Sequence, residues 1–411
     1  MLDDKLKALW TRISPPQKAA FFGCFLSGYL VHLYVFTNII PNSDGLSRIF
    51  DPQQMTVSGR WFLHFASYFN GFTQMPAVIG LFSVLFLALA AALAVSLLGI
   101  RSRALSALSG ALMAAFPAVG YTFLYLFTAS AYCFAIFLAV LSVSLARRGR
   151  WHWLAGCLLL ACSMGTYQAY VTVAIGLSLL VIFRETLDPS ASFSATLRLG
   201  VRLMLFLAAG AVLYYGILLV FLQVKDLELL SYLGMDAASS GYPFSRLPGL
   251  LLDTYKQVAA FFFLPGSANT FTSGWMAVLD LAALALGGGC FLLCMGQEGL
   301  WRARWRPLGG LAMLALLPLG INFGQILSPW SAPTPLMKYA FVLVYLAVVL
   351  LAGSAWGAVS RGFVFMPQID MNNVSLTVTM PEGISREEAV ALADEVVRRA
   401  GTVENVDAVG A

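Results

Sequence analysis

Residues 19–40 read AAFFGCFLSGYLVHLYVFTNII, a run with no Asp, Glu, Lys or Arg in it. As a helix this run rises about 33 Å, enough to cross a hydrocarbon core of about 30 Å. It is too long for a signal-peptide core and lacks a small-residue cleavage site, so it is expected to stay as a first transmembrane helix. The polar, basic residues 1–18, MLDDKLKALWTRISPPQK, then form a cytoplasmic N-terminus. Further apolar stretches follow at 76–100, 104–120, 127–146, 151–165, 168–184, 200–223, 274–296, 308–326 and 337–358. The expected fold is an all-α polytopic membrane protein with about ten transmembrane helices over residues 19–360.

Composition agrees. Of 411 residues, 59% are hydrophobic and 11% charged, against roughly 25% charged in an ordinary soluble domain. Lipid must therefore solvate most of the surface. No Lys/Arg-rich run is interleaved with aromatics, so nucleic acid is not expected as a partner. The six cysteines all lie in apolar segments without a CxxC pair, and the three histidines are scattered. Neither a metal site nor a disulfide framework nor a cofactor is expected.

Charge position sets the topology. Lys5, Lys7, Arg12 and Lys18 precede the first span, and Arg101, Arg103, Arg147, Arg148, Arg150, Arg184, Arg198, Arg202, Arg302, Arg304 and Arg306 fall in alternate connections. The positive-inside rule places those on the cytoplasmic side and leaves loops 41–75 and 224–273 outside. The second outer loop mixes Gly, Pro and Ser with apolar patches, as expected of short helices at the interface. Its Asp226, Glu228, Arg246, Asp253 and Lys256 suit an acceptor groove, or simply water. Asp280, near the outer end of the eighth span, is expected to reach water.

The first outer loop, NIIPNSDGLSRIFDPQQMTVSGRWFLHF (38–65), gathers Asp44, Arg48, Asp51, Arg60 and His64. Arg48 follows Asp44 by four residues, so on a helical turn the two share a face. Trp61, Phe62, Phe65 and Phe69 fall largely on one side of GRWFLHFASYF, the pattern of a helix lying in the interface. Arg60 at its start sits at headgroup depth, where a guanidinium grips phosphate bidentately. A carboxylate beside a guanidinium at a membrane surface is what sugar transfer from a lipid phosphate needs: one deprotonates the acceptor, the other stabilises the leaving phosphate. The plainer alternative is a solvated ion pair worth at most about 1 kcal/mol, with Asp51 opening a turn before Pro52 and His64 donating one hydrogen bond.

The motifs Asn42-x-Asp44-Gly-Leu-Ser-Arg48 and Gly59-Arg60-Trp61, with Tyr167-Gln168 in MGTYQAYVTVAIGL, resemble the phage-type glucosyltransferase II family, which modifies bacterial O-antigen. The likeness covers about residues 15–360. It implies a GT-C-like fold in the bacterial inner membrane, with its active site facing the periplasm. It implies a polyprenyl-phosphate-glucose donor, a surface glycan acceptor, and a flippase and a donor-synthesising enzyme as partners. Asp44 matches the catalytic carboxylate and Arg60 the family's G-R arginine; Asn42, Arg48, Tyr167 and Gln168 follow as substrate-binding candidates. Lys338, a lone cation at the outer end of the last span, is a further candidate for the donor phosphate, with snorkelling to the interface as its alternative. Many members carry two acidic residues where this chain has Ser43-Asp44, which speaks against a metal shared between two carboxylates.

Residues 364–411 differ. Val374, Leu376 and Val378 alternate like a strand, Ser385 and Glu388 form a capping box before an amphipathic helix ending at Gly401, and a second strand could follow. This β-α-β fragment resembles the start of the porter domain of resistance-nodulation-division efflux transporters. The expected topology puts it on the wrong side for that role, so it is read as a fusion or truncated remnant. Three other functions compete with sugar transfer: a transporter or flippase of lipid-linked sugar, a non-catalytic assembly component or polymerase-like partner, and a fragment of an efflux transporter. Transport would favour ionisable groups near the bilayer midplane, and few are present. Deletion of residues 364–411 is expected to leave glucosyl transfer intact; loss of activity at normal membrane expression would assign the tail a role.

Overall fold

The computed structural model describes residues 7, 10–40, 44, 50–230, 244–266, 272–297, 299–328, 333–360, 377–380 and 382–403. The chain divides by its internal contacts into two units, residues 1–362 and 363–411.

In the first unit, local chemistry starts and stops the helices where the sequence allows. Helix α1 (Pro15–Thr37) opens on a capping box in which Ser14 and Gln17 satisfy each other's backbone amides. α2 (Pro76–Leu98) begins with proline at its first position and stops at Gly99, whose φ of 68° releases the chain from the helix. Pro117 disfavours a helical conformation at Phe116, so the stretch 104–120 divides into α3 (Arg103–Ala115) and α4 (Pro117–Leu124). Then come α5 (Leu126–Ala146), α6 (Arg150–Thr166), α7 (Val171–Leu187) and α8 (Phe193–Lys225). The second outer loop contains α9 (Leu247–Phe263), and α10 (Gly274–Gln297), α11 (Trp305–Ile321) and α12 (Val342–Ser360) complete the unit.

All ten expected apolar segments are helical. Among the described residues eight helices are long and apolar enough to cross a membrane, counting α3 and α4 together and α7 and α12 with their preceding 3₁₀ turns. α6 and α11 have 17 residues each, about 26 Å. The helices pack as neighbours in the order α3, α1, α2, α5, α6, α8, with α7 against α11 and α12 against α10. Small residues set the closest crossing. Gly23 of α1 meets Ala107 of α3, and Ala20 and Cys24 meet Gly110 so tightly that a side chain at Gly110 would collide with the Ala20 carbonyl. In lipid this kind of close backbone approach replaces the hydrophobic drive that lipid cannot supply.

Among the buried polar groups, His32 Nε2 donates to the Ala114 carbonyl at 3.0 Å. Asp280 is buried, not hydrated as its position suggested, because it accepts from the Tyr345 hydroxyl at 2.7 Å.

At the basic end, arginines close helix termini. Arg184 donates to Leu97 O (3.1 Å) at the end of α2, and Arg202 to Ala146 O (2.7 Å) at the end of α5. The buried Arg306 donates to the carbonyls of Asp188, Pro189 and Ala191 in the α7–α8 connection. Each cation satisfies carbonyls that a helix end or turn leaves without partners, and at a helix C-terminus it also meets the negative end of the dipole. Hydrogen bonds from the Ser190 amide and hydroxyl hold the Asp188 carboxyl below its usual range.

In the second unit, α13 (Arg386–Ala400) carries the expected Ser385–Glu388 capping box and ends at Gly401. Among the described residues there is no strand; Val378 lies in irregular chain, and Val374 and Leu376 fall outside the described residues.

Gly110→Val is expected to lower the stability of the detergent-solubilised protein by about 1–3 kcal/mol, as overpacking does, read as the midpoint of thermal unfolding.

Candidate functional site

Residues 50–75 fold back on themselves before meeting the helices. Phe50 bridges Thr73 and Met55 bridges Arg60 as isolated antiparallel pairs. The turn between Met55 and Arg60 closes through Gly59, at φ 77°, a conformation that glycine adopts without steric cost. As the plainer reading expected, Asp51 opens a turn: its Oδ1 accepts from the Gln53 amide at 2.9 Å. His64 Nδ1 donates to the Pro52 carbonyl at 2.6 Å while its ring stacks on Phe72.

The expected interfacial helix is not formed as a unit. Only Leu63–Ala66 and the 3₁₀ turn Ser67–Asn70 are helical, and Trp61 faces inward, 6% exposed, while Phe65 and Phe69 face out. Tertiary fit overrides the periodicity here. Trp61 lies against Gly165, where a Cβ would come within 2.6 Å of the indole, and stacks on Phe221 of α8 with centroids 5.7 Å apart. The adjoining Phe62 amide donates to the Gly165 carbonyl at 2.7 Å.

The loop is tied down by the break between α6 and α7. After Thr166 the chain leaves the helix and makes a 3₁₀ turn over Gln168–Tyr170. Gln168 Nε2 donates to Ser58 O at 2.8 Å and to the Tyr214 hydroxyl at 3.1 Å, and Tyr214 in turn donates to Gly59 O at 3.1 Å. Arg60 is the next residue. Its Nη1 donates to the Tyr132 hydroxyl at 3.2 Å, and its guanidinium carbon lies 4.9 Å from the Tyr167 ring centre. Tyr132 and Tyr167 are themselves stacked at 4.6 Å. An aromatic face attracts a cation most strongly when both are shielded from water, so the tyrosines hold the guanidinium in one orientation.

Beside Arg60 lies a cavity of about 120 Å³ between the loop and the end of α8, lined among others by Gln53, Trp61, His64, Phe221 and Lys225. Among the described residues two cations and no carboxylate line it. The Gln53 side chain, 3% exposed, has a buried Nε2 with no hydrogen-bond acceptor among the described residues. Such an arrangement of donors fits an anion with several oxygens.

Of the sequence candidates, Arg60, Tyr167 and Gln168 are brought together. Asp44 lies in an exposed turn and does not line the cavity. Asn42 and Arg48 lie outside the described residues. Lys338 is buried in the 3₁₀ segment Pro335–Phe341, which packs beside the Gln168–Tyr170 turn, and it does not line the cavity either. Tyr132, Tyr214, Gln53 and Lys225 were missed. The first two sit in apolar runs with nothing local to mark them, whereas Lys225 could have been noticed as a cation at the outer end of a span, against the charge bias. Among the described residues no group of His, Cys, Asp or Glu is arranged to hold a metal ion.

A family model described as glucosyl transferase GtrII matches residues 33–351, which takes in the loop, the tyrosine cluster and α8. No curated protein and no solved structure matches the chain.

Gln168→Leu leaves the Ser58 carbonyl and the Tyr214 hydroxyl short of a donor, a loss of about 1–3 kcal/mol. The expected outcome is faster proteolytic cleavage within residues 50–75 at unchanged helix content, compared with the wild-type protein in the same detergent.

Proposed function

The chain belongs to the GtrII glucosyl transferase family, as a membrane glucosyltransferase, and on that footing we propose that it moves glucose from a polyprenyl-phosphate donor to a glycan hydroxyl on the outer side of the bacterial inner membrane. The observation that carries the reading is Arg60, oriented by Tyr132 and Tyr167 into a cavity that Lys225 also lines. A phosphate that leaves with two negative charges needs cations already in place, because reorganising solvent around it would cost free energy in the transition state. The cavity lies where helix ends meet the loop, at the end of the bundle opposite the arginine-rich connections. The positive-inside rule makes that the outer face.

The transfer is a single displacement with inversion. An acceptor oxygen attacks the anomeric carbon as Asp44 takes its proton. The bond from that carbon to the phosphate oxygen breaks, and the electron pair leaves with the polyprenyl phosphate, held by Arg60 and Lys225. The lipid phosphate is a good leaving group and needs no general acid, so one base suffices. The exposed position of Asp44 suits a hydroxyl that arrives from water. Arg48 and Asn42, beside Asp44 in sequence, belong with the acceptor in this scheme. The buried Lys338 acts on the position of the Gln168–Tyr170 turn. The family assignment favours group transfer over passage of a lipid-linked sugar.

Asp44→Asn is expected to reduce transfer by about a hundredfold or more at unchanged membrane level. Arg60→Ala is expected to lower kcat/KM for the donor by about a hundredfold, with Arg60→Lys recovering only part of it because the planar fork and its aromatic stacking are lost. Both are read by donor-dependent labelling of glycan in membranes. Full activity in Asp44→Asn removes the base assignment, and unchanged donor use in Arg60→Ala removes the cavity as the phosphate site.

A further inference from the structure

At the opposite end of α6 and α8 from the Arg60 cavity lies a larger groove, about 530 Å³, between the first turns of these two helices. α8 lines it with two adjacent stripes. Arg198 and Arg202 are four residues apart on one; Leu197, Val201 and Leu205 repeat at the same spacing on the other. Residues at this spacing lie above one another on a helix, so a basic strip runs beside an aliphatic strip about 12 Å long. The three aliphatic side chains are between 44% and 55% exposed, an apolar surface that an acyl chain can cover. α6 supplies the other wall through Arg150 and Trp153, the indole donating to the Arg202 carbonyl at 3.4 Å.

The three arginines are not equivalent. Arg202 is anchored, donating to the carbonyls of Ala146, Arg148 and Gly149 in the α5–α6 turn. Arg150 and Arg198 are exposed, and among the described residues no carboxylate lines the groove. The nearby Glu185 is paired with Arg147 instead, at 3.5 Å. α6 also begins here on Gly149, with no side chain capping its first amides, so the positive end of its dipole adds to the field. Cations at headgroup depth, an interfacial tryptophan and an aliphatic track leading from them along a spanning helix together describe one kind of molecule.

We propose that this groove binds an anionic glycerophospholipid of the leaflet at the basic end of the bundle, its phosphate on Arg150 and Arg198 and an acyl chain along Leu197, Val201 and Leu205. A zwitterionic lipid would bring its own cation against the arginines, and a free anion would leave the aliphatic strip uncovered. Because the groove and the Arg60 cavity lie at opposite ends of the same two helices, this lipid is separate from the donor.

The test is native mass spectrometry of the full-length protein in nonionic detergent, titrated with phosphatidylglycerol or with phosphatidylcholine. Saturable binding of phosphatidylglycerol is expected, with phosphatidylcholine bound at least tenfold more weakly. Arg150→Gln combined with Arg198→Gln should weaken phosphatidylglycerol about 25-fold, at roughly fivefold for each cation near the surface. Val201→Trp keeps every charge but fills the track, and should weaken binding as well; Arg150→Gln alone, at an exposed helix start, provides a variant that folds. Equal binding of the two lipids, or unchanged phosphatidylglycerol binding in either the charge or the track variant, would overturn the proposal. So would displacement of the lipid by inorganic phosphate or by polyprenyl phosphate at lower concentration than phosphatidylglycerol itself.

Discussion

The amide of Gln168 holds the site together. In a protein solvated by lipid, backbone polar groups must find partners inside the fold, and an irregular loop such as 50–75 survives only where something supplies them. Gln168 does so at Ser58 directly and at Gly59 through Tyr214. It is able to because α6 and α7 are separate helices with a 3₁₀ turn between them, and not one continuous rod. The two carbonyls it anchors immediately precede Arg60, so the hydrogen bonds that make the loop tolerable also aim its cation. Gly165 contributes from the same break by leaving room for Trp61.

Positive charge has two uses in this protein, separated by the length of the bundle. At one end Arg184, Arg202 and Arg306 are consumed by carbonyls of helix termini and turns. Their orientation bias and their structural work coincide, since the same residues that keep a connection on one side of the membrane also seal it. At the other end Arg60 is held by neutral tyrosines. Phenol rings orient a guanidinium without cancelling its charge, as a carboxylate partner would.

How much of this was legible in the sequence follows from the range of each interaction. Helices were legible because their causes are local: the apolar runs and the Ser385–Glu388 box. Arg60 was legible from its place at the start of an aromatic interfacial stretch, Tyr167 and Gln168 only through family likeness. Their common neighbourhood was not, because Arg60 meets Tyr132 across 72 residues and Gly59 meets Tyr214 across 155. Periodicity misled at Trp61, where a side chain with the spacing of an interfacial residue fills the gap over a glycine on another helix. Position along a span misled at Asp280, whose hydroxyl partner lies 65 residues away.

The length of α8 has one more consequence. Its 33 residues make a rod of about 50 Å, whereas the hydrocarbon core is about 30 Å thick. The excess must be taken up by tilt or by protrusion, and the balance shifts with the thickness of the surrounding bilayer. Tyr214, Phe221 and Lys225, which tie down and wall the cavity, all ride on the far half of that rod. Acyl-chain length in the host membrane therefore acts on the geometry of the cavity mechanically, through the inclination of a single helix.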